Sequence, residues 1–369
     1  MIGALKAFYA GFRGFDEVGS TVPMMDGPLK PNTALDDAQV LLKLPAVDNL
    51  TAPAGGLVCS QGTGLLRLHT SGYGLTAAVD RTFTSDITCL AADPAGALAI
   101  GLDGRGVVIQ GGRHDRVHIK DADGEILRAP TAALFLDSDT LIVANGSAEF
   151  TMADWKRDLM NRRSSGSIWR VALGSQARDA TPLARNLAFP YGLAPGSGGT
   201  VLASEAWRHR VVTLDASTLT VPRAVLSDLP AYPARIATAA GGGYWLALFA
   251  PRNQLVEFVL REEAYRRRMV SDIDPAYWIA PAFSSGASFL EPIQGGARKK
   301  LNMLKPWSPS WSYGLVVRCD AAMRPLASCH SRAGGNIHGV SSLVDVGGAL
   351  LVGAKGSGAI VRLEDGVRL

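Results

Sequence analysis

The stretch Thr131-Ala132-Ala133-Leu134-Phe135-Leu136, followed after a three-residue turn by Thr140-Leu141-Ile142-Val143-Ala144, reads as two short strands joined by a tight polar turn. The first strand mixes small and apolar residues behind a polar corner. The second is a continuous apolar run, the pattern of a strand covered on both faces. Working outward, the same unit recurs: small-residue strand, glycine or polar turn, apolar strand, then a third strand with a polar end. It reads at 49–57, 58–62 and 64–69, and again at 87–93, 96–101 and 106–110. The quoted strands continue, after an interruption, into 166–173. Three more units lie at 189–194, 200–204 and 210–214; at 232–239, 243–247 and 255–260; and at 339–344, 349–353 and 359–363. Radial repetition of four-stranded sheets limits exposed edges, so the repeat predicts an all-β fold, a six-bladed β-propeller. Residues 38–369 form its single domain and residues 1–37 an N-terminal extension. The strand-like run at 39–44 precedes the first unit and is expected to supply the outer strand of the last blade, closing the ring.

Two segments break the rhythm, at 148–165 and 261–312. The first carries a short helical piece at 154–160 and the second starts with one at 262–270. Both are lid candidates, because loops at one end of a propeller channel form a pocket rim, and the longer is equally read as a peripheral decoration. Hydrophobic residues make up 47% and charged residues 19% of the 369, enough for a large core. The 41 glycines and 20 prolines are spread along the chain, as many short strands and turns require. A net charge of +4 with only short basic clusters, Arg266-Arg267-Arg268 and Arg298-Lys299-Lys300, argues against a nucleic-acid partner. No run approaches the ~18 apolar residues of a bilayer span, so no integral membrane segment is expected. The start lacks the pattern of a secretory leader, which makes a cytoplasmic location the expectation. Ile2, Leu5, Phe8 and Phe12 have helical spacing, suited to a short amphipathic helix packed on the domain's flank. The four cysteines form no CxxC pair; Cys59 and Cys89 read as buried thiols, and Cys319 and Cys329 could face each other across a hairpin.

Five linked motifs carry a family likeness. Gly166-Ser167-Ile168-Trp169-Arg170-Val171 leads, followed by Asn186-Leu187-Ala188-Phe189-Pro190-Tyr191-Gly192. Val201-Leu202-Ala203-Ser204-Glu205 precedes His209-Arg210-Val211; Asp228-Leu229-Pro230-Ala231-Tyr232-Pro233 and Gly242-Gly243-Tyr244-Trp245-Leu246-Ala247 complete the series. In this order and spacing they resemble the strictosidine synthase-like family, six-bladed propellers related to paraoxonases and gluconolactonases. The resemblance implies a small-molecule site at the central channel, with either amine–aldehyde condensation or calcium-dependent lactone hydrolysis.

Ser341 stands nearest the position of the synthase glutamate, and a hydroxyl cannot replace that carboxylate as a base near neutral pH. Asp48 and Asn49 match the first-blade calcium ligands and Asn145 a third-blade ligand, and these remain the residual metal candidates. However, the family's Pro-Asn-Gly is Pro190-Tyr191-Gly192 here, and its Pro-Asp-Asn is Pro233-Ala234-Arg235. A guanidinium in place of a carboxylate opposes a divalent ion. The expectation is therefore an enzyme without a metal cofactor, hydrolytic or cyclising, acting on a small, anionic substrate. Arg235 and Tyr191 would hold its carboxylate or oxyanion, His338 would act as general base, and Glu205 is a further catalytic candidate. Asp48, Asn145, Ser341 and Trp155 would line the substrate site. Arg235 could instead pair with Asp48, filling the metal's electrostatic role. Two alternatives stay open: a non-catalytic small-molecule binder with a dry aromatic cavity under Trp155, Trp307 and Trp311, and a calcium lactonase with rearranged ligands.

Overall fold

The computed structural model describes residues 22–54, 56–174, 179–286, 291, 299–300, 303–304 and 311–363. The helix expected over residues 2–12, and Trp307, lie outside them.

Six antiparallel four-stranded sheets succeed one another along the chain, each ordered from its first strand outward, as the repeat requires. Blade three shows why these residues make this element. Val143 lies opposite Ala133 on one side and Trp169 on the other, and its strand, Thr140–Asn145, is buried along its whole length. Small residues on the inner strands let six sheets converge, and the apolar middle strands fill the space between neighbouring sheets. Hydroxyls then clamp blade to blade. Thr88 Oγ1 donates to the Pro130 carbonyl, Thr131 Oγ1 to Pro190 and Ser204 Oγ to Ala234, in each case reaching the inner strand of the next blade.

The ring closes as the sequence predicts. Gln39–Lys43 is the outer strand of blade six, pairing with Ala359–Leu363. The described part of the N-terminal extension is strapped to the outer strand of blade five, Pro325–Ser331. Leu35 N donates to the His330 carbonyl (3.0 Å), Asn32 Nδ2 to that of Ser328 (2.8 Å), and Ser331 Oγ to Asp36 Oδ1 (2.7 Å). Cys319 lies opposite Pro325 and Cys329 opposite Val316, so the two do not face each other, and all four cysteines are free and buried.

Blade five departs from the sequence reading. Residues 255–260, expected as its third strand, belong to helix α2 (Gln254–Arg261), after α1 (Trp155–Asn161) in blade three and before α3 (Glu263–Asp272). A short apolar run does not distinguish strand from buried helix. Here Asn253 decides it: its side chain accepts from Leu255 N, capping the helix, and Val256, Val259 and Leu260 form one buried stripe. The third strand of blade five is Gly314–Cys319, so the long excursion sits inside that blade, between its second and third strands. The shorter excursion likewise interrupts blade three. Their helices cover one end of the channel and share a hydrophobic core with blades four to six. Polar contacts tie the two excursions together: Arg162 Nη1 donates to the Leu260 carbonyl (3.1 Å) and Lys156 Nζ to that of Pro275 (3.2 Å).

Candidate functional site

Asp48 stands on the first inner strand, Val47–Thr51, and is 4% exposed. One carboxylate oxygen accepts from Arg235 Nη1, Ser341 Oγ and Asn49 N, each at 2.8 Å; the other accepts from Lys355 Nζ at 3.0 Å. Arg235, from blade five, also donates to the carbonyls of Ser341 (3.0 Å) and Thr88 (2.6 Å), and its guanidinium lies 5.2 Å from the Tyr191 ring centre. The axis is thus bolted by an ion triad drawn from blades one, five and six. Burial acts to raise the Asp48 pKa, but the Arg235 and Lys355 cations overrule it and hold the carboxyl well below the usual range. Reciprocally, Asp48 keeps Lys355 protonated against its burial. The Tyr191 hydroxyl and Arg235 Nε are buried without hydrogen-bond partners among the described residues.

A cavity of about 220 Å³ opens beside this triad. Asp48, Thr88 and Lys355 line one side, and Trp155, Met152 and Phe283 supply an apolar cover. The Lys355 ammonium lies 5.3 Å from the Phe283 ring centre. Asp103 completes the lining together with the exposed rim residue Asp86. The carboxylate of Asp103 accepts from Met152 N (2.6 Å) and Ala153 N (3.1 Å), anchoring the blade-three excursion, and burial raises its pKa. Arg235 lines a second cavity of about 250 Å³ between the inner strands, so the Asp48–Arg235 pair lies between two chambers.

The predicted residues divide into two groups. Asp48, Arg235, Tyr191 and Ser341 meet at the axis, and Trp155 covers the cavity. Asn145 is elsewhere, its Oδ1 accepting from Ala129 N (2.8 Å) and its amide facing Glu125 (3.4 Å). Glu205 is consumed locally by Ala188 N (2.7 Å), Arg208 Nη1 (2.7 Å) and Arg210 Nε (2.6 Å). His338 bonds Ser312 Oγ (2.9 Å) and the Arg332 carbonyl (2.8 Å) and makes no hydrogen bond to the triad. Asn49 points its amide at Ser60 Oγ (2.7 Å) and the Ile87 carbonyl (3.0 Å). This donor set does not suit calcium, which needs several oxygens and net negative charge. Both Asp48 oxygens face cations, and among the described residues no three His, Cys, Asp or Glu side chains group around a common point. Lys355 and Asp103 escaped sequence reasoning because each sits in a glycine-flanked hairpin, Lys355-Gly356 and Asp103-Gly104, where a polar residue reads as an ordinary turn.

Under the helical cover, Trp155, Phe189, Tyr191, Trp207, Tyr232 and Phe249 form a continuous aromatic cluster. Three buried imidazoles stay neutral because of burial: His209 far below its usual pKa, His330 pushed down to about 4, and His338 lowered. Each contributes stability that is present above pH ~6.5 and lost as pH falls toward its folded value, roughly 2 kcal/mol by pH 5 for a strongly suppressed group. Asp158, raised to about 6 by burial, opposes this by ~1 kcal/mol over the same interval. The melting temperature is therefore expected to drop between pH 7 and pH 5. A flat or rising profile in thermal melts would contradict the assignment.

No family model and no curated protein matches the chain. Solved structures do. A Xanthomonas campestris gluconolactonase aligns with TM-score 0.56 at 13% identity, covering 94% of this chain and 98% of its own. A structural-genomics protein assigned to the gluconolactonases gives 0.55 at 12%, covering 89% and 91%. The calcium-binding protein regucalcin from Agrobacterium tumefaciens gives 0.50 at 14%, covering 88% and 92%. These similarities establish the six-bladed propeller of gluconolactonase- and regucalcin-type proteins as the fold of this chain.

Proposed function

We propose that this protein hydrolyses small esters or lactones in the cavity beside Asp48 and Lys355, with the fixed ammonium replacing calcium. The observation that carries this reading is the charge imbalance of the triad: two cations, the buried Arg235 and the half-buried Lys355, share one buried carboxylate. A surplus of positive charge at the edge of the buried axis favours an anionic ligand or an oxyanion forming in the transition state. Lys355 is bonded to one Asp48 oxygen and presents its ammonium to the cavity. A carbonyl oxygen seated there would gain negative charge against it as water adds. Asp103, whose pKa burial raises above the ordinary carboxylate value, lines the same cavity and would take the proton from that water. Trp155 and Phe283 would hold the apolar part of the substrate.

The lactone class draws support from the names of two structural neighbours. Against cyclising chemistry, Ser341, at the synthase glutamate's position, is an accessory of Asp48 rather than a base. The test is hydrolysis of dihydrocoumarin by the purified chain, with and without EDTA. Turnover is expected and should be unchanged by the chelator. No turnover, or turnover lost to EDTA and regained with calcium, would overturn the proposal.

A further inference from the structure

Beyond the axial cavity, three side chains form a line that the proposed reaction does not use. Ser285 Oγ lies 2.7 Å from Ser312 Oγ, which lies 2.9 Å from His338 Nδ1, while His338 Nε2 lies 2.8 Å from the Arg332 carbonyl. A backbone carbonyl only accepts, so Nε2 carries the imidazole proton and Nδ1 is bare. Nδ1 must then accept the Ser312 hydroxyl, whose oxygen in turn accepts from Ser285. The direction of the chain is fixed: Ser285 to Ser312 to His338. Ser312 is fully buried and His338 nearly so, whereas Ser285 is partly exposed between the exposed residues Ser284 and Gly286. Next to it, Gly286 N donates to Glu291 Oε2 at 2.7 Å. The amide following a nucleophile is where an acyl oxyanion is stabilised, and here an anionic oxygen already occupies it.

We propose that Ser285 is a nucleophile, activated through Ser312 by His338, that accepts acyl groups from small esters. In the step, Ser285 Oγ bonds the carbonyl carbon as its proton passes to Ser312 and the Ser312 proton passes to His338 Nδ1. The carbonyl oxygen displaces Glu291 from Gly286 N. The ester's alcohol leaves with the proton returned along the same line, and water later releases the acid by the same route.

The inference goes beyond the axial reaction and fails independently of it. The full chain is incubated with a fluorophosphonate, which forms an oxygen–phosphorus bond and releases fluoride, and the adduct is mapped by peptide mass spectrometry. An adduct on Ser285 is expected, at least tenfold slower to form in Ser312→Ala and His338→Gln and severalfold faster in Glu291→Gln. Labelling should persist in Lys355→Met, in which axial turnover is lost. No adduct on Ser285, or equal labelling of wild type and Ser312→Ala, overturns the proposal; melting curves confirm that each variant is folded.

Discussion

Asp48→Asn is expected to destabilise the fold by about 3–5 kcal/mol, the cost of leaving buried charges without their partner. The carboxylate serves two cations at once, and among the described residues neither is ion-paired with another acid: the other bonds of Arg235 go to carbonyls of Ser341 and Thr88. Asparagine would present an amide of similar shape but remove the charge, and its amino group would face one of the two cations. The effect should reach the whole ring, because the triad joins blades one, five and six where the inner strands converge. A double variant, Asp48→Asn with Arg235→Met, removes one of the stranded cations and should recover a substantial part of the loss. Denaturant unfolding of the wild type, the two singles and the double gives the coupling directly. A single-variant loss below ~1 kcal/mol would show that the channel is hydrated enough to screen the charges. The depressed Asp48 pKa adds a sign: its contribution is present above pH ~3.8 and is lost only as pH falls toward the folded value. Acid sensitivity above pH 5 should therefore come from the buried histidines and not from the triad.

The propeller was legible because its signal is repetitive. Each blade alone is an ambiguous set of apolar runs, but six in succession, with 39–44 placed to complete the last, leave little choice of architecture. Blade five shows the limit. Leu255–Leu260 has the composition of a strand, and only the capping amide of Asn253 and the burial of one face make it a helix. The axial pair was legible for a different reason: the family resemblance places Asp48 and Arg235 at metal-ligand positions near the axis, and a cation facing a carboxylate there suggests the pair. Glu205 and Asn145, which the same resemblance places near the axis, end the second strands Thr200–Glu205 and Thr140–Asn145, where local donors claim them, Arg208 and Arg210 for one and Ala129 N for the other. Such satisfaction depends on side-chain directions that spacing does not encode. Lys355 was invisible because nothing in its glycine-rich hairpin distinguishes a lysine facing the axis from one facing solvent.

Lys355→Met should lower kcat/KM for lactone hydrolysis by about 100- to 1,000-fold, the loss typical of removing one preorganised oxyanion donor. Methionine keeps the length and apolar stem of lysine, so packing against Phe283 survives while the ammonium disappears. Stability should change far less than in Asp48→Asn, because Arg235 remains to balance Asp48 and Lys355 is partly exposed, with 31% of its side chain accessible. The prediction thus separates two roles inside one triad: Arg235 neutralises Asp48 at the core, and Lys355 supplies the charge that faces substrate. Lys355→Arg sharpens the distinction. It restores charge, but the planar fork is bulkier than an ammonium and directs its donors differently, so it should recover only part of the activity. Loss of kcat with little change in KM is expected if the ammonium acts mainly on the developing oxyanion; an increase in KM alone would mean that it only binds substrate. Full activity in Lys355→Met would remove the electrophile from the mechanism and with it the argument that a fixed cation stands in for calcium.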